Sequence, residues 1–126
     1  MSTTREPSAM GYIDGFVVAV PRSNRDAYRQ HAELALAIFL EHGALRGVEG
    51  WGDDVPVGQR TDFRRAVQAE ENEVVLFSWI EWPSKSVRDA AMPTIFADPR
   101  LKDEAMPFDG ARMIVGGFEP IVDAKR

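Results

Sequence analysis

Cysteine is absent from this chain, which removes disulfides, thiolate metal sites and a cysteine nucleophile together. Long apolar runs are absent as well. No stretch approaches the length of a membrane span, and residues 1–10 lack the apolar core of a signal peptide, so the expectation is a cytoplasmic protein with no membrane partner. Basic clusters are missing too: 15 Lys and Arg stand against 20 Asp and Glu, a net charge of −5, with only scattered pairs such as Arg64-Arg65. Such a chain is repelled by phosphate backbones, and nucleic acid is not an expected partner. Histidine occurs twice. The chain contains no His-Glu-x-x-His, no Ser-His-Asp order, no dinucleotide fingerprint and no haem attachment motif, so neither a metal nor a cofactor is expected.

What is present is an unusually apolar strand. Glu73-Val-Val-Leu-Phe-Ser-Trp-Ile-Glu-Trp82 carries large apolar side chains at both odd and even positions, whereas a strand with one wet face alternates. Each face of the sheet that holds it therefore needs a cover, and a chain with two helices covers one. The second cover is expected to be another copy of the protein.

The remaining elements follow from local pattern. Tyr12 to Val20 is rich in β-branched and aromatic residues and stops at Pro21, as a strand does. Tyr28, Ala32, Ala35, Leu36 and Phe39 recur at helical spacing up to Gly43, with Ser23 and Asp26 placed for an N-terminal capping box. Residues 44–51 predict a second, glycine-weakened strand, and 52–58 a loop. Phe63 to Ala69 predicts a short strand before the 73–82 run. Ser84 caps a second helix that Pro93 should kink or restart near Met92, loops follow around Asp98-Pro99-Arg100 and Met106 to Gly110, and Arg112 to Glu119 makes the last strand.

That order, at a length of 126 residues, fits one α+β domain. It predicts a ferredoxin-like βαββαβ antiparallel sheet with two helices on one face, over residues 11–123, behind a disordered tail at 1–10. Two sheets packed face to face would bury the second apolar surface, giving a homodimer.

Several phrases carry a resemblance: Tyr12-Ile-Asp-Gly-Phe-Val-Val-Ala-Val-Pro21, Asp26-Ala-Tyr-Arg29, His42-Gly-Ala-Leu-Arg46, Thr61-Asp-Phe-Arg64, Ala69-Glu-Glu-Asn-Glu73, Phe77-Ser-Trp-Ile80, Met106-Pro-Phe-Asp-Gly110 and Gly116-Gly-Phe-Glu119. With these the chain resembles a family of small bacterial proteins, the domain of unknown function 1428 family. The resemblance implies a dimeric α+β barrel, and it brings no catalytic residue with it. Family members commonly carry Cys where this chain has Gly50 and Lys where it has Ala111, so neither side chain is available here for chemistry.

Candidate functional residues are few. His31 and His42 lie eleven positions apart, roughly 16 Å along a helix, and do not share a metal ion. His31 is suited to proton transfer, while His42 beside Glu41 suits a helix end. Asp14, inside an apolar strand, needs partners or a raised pKa, unless Asp14-Gly15 marks a bulge. Asp53-Asp54 has too few oxygen ligands at regular spacing for a hard cation. Asp109 and Arg112 are spaced to pair and to lock the Met106 to Gly110 loop on the last strand. Gly116-Gly117 permits a bulge or a close approach by another chain segment. Trp51, Trp79, Phe16 and Phe118 are suited to line a pocket for an apolar or aromatic molecule.

The leading expectation is a homodimeric barrel that binds such a molecule between sheet and helices. The alternatives are a cofactor-independent monooxygenase- or isomerase-like enzyme, with His31 or Asp14 acting, and a structural or stress-related protein with a filled barrel.

Overall fold

The computed structural model describes residues 10–102 and 105–126, so the expected tail falls outside the described residues except for Met10. Strand β1 spans Tyr12–Pro21. After a single 3-10 turn at Arg22–Asn24 the chain enters α1, Arg25–Glu41. The expected capping box is not what starts α1. Ser23 lies inside the preceding turn, and Asn24 at the cap position spends its amide on the Pro107 carbonyl, donating at 2.9 Å. Gly43 follows the helix at φ 106°, a left-handed backbone that glycine adopts without a Cβ clash.

Strand β2 is Arg46–Trp51 and β3 is Glu73–Trp82. Between them the expected strand from Phe63 is instead a one-turn helix, α2, Phe63–Ala66. The cause is local: the Asp62 carboxylate accepts from Arg65 N at 2.7 Å and from Gly58 N at 3.0 Å, which caps the turn before a strand can form. Helix α3, Lys85–Phe96, begins at Ser84, whose hydroxyl accepts from Val87 N at 3.2 Å. It runs through Pro93 without restarting. Pro93 sits on the exposed side while Ala91 and Ile95 are buried on the other, so the proline ring meets solvent and the packed face is unbroken. The expected loop at 98–100 contains α4, Pro99–Lys102. A 3-10 turn at Gly110–Arg112 leads into β4, Ile114–Phe118.

The sheet has the order β2-β3-β1-β4 and every pairing is antiparallel. The register of β1 is continuous against both neighbours: Asp14 opposes Ile80 and Gly117, and Gly15 opposes Trp79 and Gly116. Neither Asp14-Gly15 nor Gly116-Gly117 is therefore a bulge. Gly117 has another use, since a Cβ there would collide with the Tyr12 hydroxyl lying across it.

Both long helices pack on one face. Ile38 and Phe39 of α1 and Ala91 and Ile95 of α3 meet Tyr12, Ile80 and Trp82, while Tyr28 and Ala32 meet Val18, Val20 and Leu76. On the opposite face the segment after α2 covers one end, where Val67 is buried against Ala19 and Val75. The rest of that face carries Ile13, Val17, Val48, Phe77, Trp79, Ile114 and Phe118, and Phe77, Ile114 and Phe118 are 45%, 45% and 59% exposed. The two-sided apolar pattern of β3 thus translates into one packed face and one open one. Among the described residues no helix is long and apolar enough to cross a membrane.

Candidate functional site

Polar side chains gather at one place inside the helix-covered layer. Tyr28 and His31, three residues apart on α1, project from the same side of the helix toward the sheet, and both are buried. Beneath them Glu49 of β2 opposes Ser78 of β3, and Ser78 in turn opposes Phe16 of β1, so these three side chains stand in a row across one face. The Tyr28 hydroxyl donates to Glu49 Oε1 at 2.8 Å. Phe108, from the loop before β4, closes the group with ring centroids 5.7 Å from Tyr28 and 6.2 Å from His31. Trp51 adds an apolar wall, and the Arg25 guanidinium lies 5.4 Å over its ring.

Burial dominates the electrostatics of this group. It pushes the Glu49 carboxyl above the ordinary carboxylate range, against the opposing pull of hydrogen bonds from Tyr28 and Ser78 and of the His31 imidazole. Burial and the adjacent carboxylate push the Tyr28 phenol far up, so it keeps its proton and serves as a donor. A carboxylate of raised basicity held by a phenol in an aromatic surround is equipped to exchange protons with, or hydrogen-bond to, a small molecule.

His31 and, as walls, Phe16 and Trp51 belong to this layer. Trp79 and Phe118 do not: Trp79 opposes Gly15 and Phe118 opposes Ile13, which places both on the open face of the sheet. One pocket cannot hold all four aromatics, because a strand turns successive side chains to opposite sides. Asp14 lies elsewhere on the helix-covered face. It accepts from Trp82 Nε1 at 2.9 Å and from Arg88, whose Nη2 reaches Oδ1 at 2.7 Å, so its lone pairs are committed to tying β1 to α3. His42 is the residue that ends α1. Asp53 borders a concavity of about 190 Å3 together with Arg22 and Arg64, two cations that disfavour a metal ion there. The Asp109–Arg112 pair forms as expected, Arg112 Nε donating to Asp109 Oδ2 at 2.9 Å.

Tyr28, Glu49 and Ser78 escaped sequence reasoning. Tyr28 passes for a core position on the helix stripe, and Glu49 sits in a glycine-rich strand whose direction the sequence leaves open. The available signal was alternation in β2, where Gly47, Glu49 and Trp51 share a face.

A family model described as a protein of unknown function (DUF1428) matches residues 11–110. The chain belongs to that family. The DUF1428 match takes in Tyr28, His31, Glu49, Ser78 and Phe108, so the whole polar group lies within the family domain. Among curated proteins the chain is 63% identical over 116 residues to a relative named "Uncharacterized protein YbaA" from Escherichia coli strain K12, with 90% of this chain and 99% of the relative covered. Relatives of the same name from Escherichia coli O157:H7 and Shigella flexneri match to the same extent.

Proposed function

We propose that this DUF1428 protein is a face-to-face homodimer, a dimeric α+β barrel, that binds a small apolar or aromatic molecule between its sheet and α1. The observation that carries the reading is the Tyr28–Glu49 hydrogen bond, 2.8 Å long and flanked by Phe108, Trp51 and His31. Polar groups inside an apolar layer cost stability unless they are satisfied, and the half-buried Glu49 carboxylate is held there by hydrogen bonds from Tyr28 and Ser78 and by the His31 imidazole. The strand order and helix placement support a ferredoxin-like βαββαβ arrangement. The open face of the sheet supports the dimer, since Phe77, Ile114 and Phe118 leave a contiguous apolar surface, and a standard interface of about 1,600 Å2 would bury it.

Native mass spectrometry of the full chain tests both parts. The expected result is the mass of two chains together with a small molecule that dissociates on activation, or that is taken up from a set of aromatic fragments. Trp51→Ala should lose the small molecule and keep the two-chain mass. A single-chain mass contradicts the dimer, and two chains that neither carry nor take up a molecule contradict the binding site, leaving a filled structural protein.

A further inference from the structure

The concavity of about 190 Å3 shares no residue with the Tyr28–Glu49 group and lies where the 3-10 turn after β1, the loop after β2 and the start of β3 meet. Arg22, Asp53 and Arg64 all border it. Among the described residues the Arg22 guanidinium and the Asp53 carboxylate take part in no hydrogen bond or ion pair, and although both are exposed on one concavity they do not pair with each other. Arg64 is different. Its Nη1 donates to the Glu73 carbonyl at 2.8 Å and its Nη2 to the Glu70 carbonyl at 2.7 Å, which fixes the charge in place and leaves Nε outside those two bonds. The backbone that carries the other two groups is also held. Arg22 N donates to the Asn72 carbonyl at 2.9 Å and Gly52 N to the Val75 carbonyl at 2.8 Å, and a Cβ on Gly52 would stand 2.6 Å from that same oxygen, so only glycine lets the loop lie this close to β3. Val55 and Val74 complete the lining.

We infer that this concavity is a binding site for a small zwitterion, an α-amino acid with a short side chain, whose carboxylate meets Arg22 and Arg64 and whose ammonium meets Asp53. Charge selects the class. A plain anion attracted by the two guanidinium groups is repelled by Asp53, and a plain cation attracted by Asp53 is repelled by Arg22 and Arg64, whereas one molecule carrying both charges satisfies all three. Size selects the side chain, because the space equals that of about six water molecules and falls below the range of pockets for drug-sized ligands. Arg22 and Asp53 are exposed, so water and salt screen each contact and binding is weak, with a Kd in the millimolar range at low ionic strength.

The experiment is an NMR titration of the 15N-labelled full chain at low ionic strength with glycine, L-alanine and L-valine. Isovalerate and isobutylamine, which keep only the anionic or only the cationic end of valine, are titrated beside them, and thermal melts are recorded for every variant. The amino acids should give saturable shifts concentrated at Arg22, Gly52, Asp53 and Val55, and L-valine should bind at least about tenfold more tightly than either half-ligand. Arg22→Met and Asp53→Asn should each weaken L-valine binding at least about tenfold while melting like wild type, since neither side chain has a partner in the fold to lose. Because no lining residue belongs to the Tyr28–Glu49 group, failure here leaves the aromatic binding reading standing. Isovalerate that binds as tightly as L-valine, with Asp53→Asn weakening neither, overturns the zwitterion class. No saturable shift at these residues with any of the three amino acids at concentrations up to about 10 mM overturns the site.

Discussion

Arg112 grips Glu73 with both terminal nitrogens, Nη1 to Oε1 and Nη2 to Oε2 at 2.7 Å each, across 39 residues of sequence. The same guanidinium donates through Nε to Asp109 at 2.9 Å and through Nη1 to the Gln68 carbonyl at 2.8 Å. One side chain thereby ties the loop before β4 to the first residue of β3 and to the segment after α2. Glu73 is 3% exposed, so removing its partner strands a buried carboxylate, whereas removing the exposed Asp109 strands nothing. Arg112→Met should therefore lower the melting temperature clearly more than Asp109→Asn does. Equal losses in the two melts would contradict this ranking.

Acid should loosen the same corner. Hydrogen bonds from Arg112 hold the Glu73 carboxyl down at about 2, below its ordinary 4.5. Because the folded value is the lower one, the stabilisation is complete above pH 4.5 and is lost as pH falls toward 2. Asp98, held at about 2 by Arg100, follows the same sign. Melting temperature measured between pH 7 and pH 2 should drop across that window in the wild type. Glu73→Gln should show a shallower drop, and an unchanged slope would remove Glu73 from the acid response.

The ion pair of Asp14 with Arg88 is structural in this account. Asp14 is 3% exposed and accepts from Arg88 and Trp82 together. Asp14→Ala leaves the indole N–H and the guanidinium without their acceptor and should cost about 1–3 kcal/mol in denaturant unfolding. Ligand binding should persist in whatever fraction stays folded. Wild-type stability combined with lost binding would move Asp14 into the site.

The packed layer should be far less tolerant than the open face. Ile38 is fully buried between α1 and the sheet, and Ile38→Ala should cost about 2–5 kcal/mol as a cavity opens. Phe77 is 45% exposed on the open face against Phe63, 5.9 Å away between ring centroids. Phe77→Glu should leave each chain folded by circular dichroism while sedimentation shows single chains in place of pairs. Sedimentation unchanged by Phe77→Glu would contradict pairing through this face.

Much of the fold was legible because periodicity decides it. The apolar run at 73–82, the stripe on α1 and the glycine at 43 each specify an element without tertiary help. Phe63 to Ala69 was misread because its apolar residues permit a strand while Asp62, reaching Arg65 N and Gly58 N, imposes a helical turn. The restart offered at Pro93 did not occur because Ala91 and Ile95 stay packed on either side of it and carry α3 onward, a tertiary fact. The site was half legible. His31, Phe16 and Trp51, picked out by residue type, lie in the helix-covered layer, but Glu49 acquires meaning only when β2 pairs with β3 and sets it beneath Tyr28. Trp79 and Phe118 were grouped with the site because aromatic composition does not say which face of a strand a side chain takes.

The central claim is that the polar group of Tyr28 and Glu49 receives a small molecule. It is tested most directly by an NMR titration of the 15N-labelled full chain with neutral aromatic fragments, following every assigned backbone amide. The account predicts saturable shifts concentrated at Tyr28, His31, Glu49, Trp51 and Phe108, abolished in Trp51→Ala. Shifts concentrated instead at Phe77, Trp79, Ile114 and Phe118, or no saturable shift with any fragment, would contradict it.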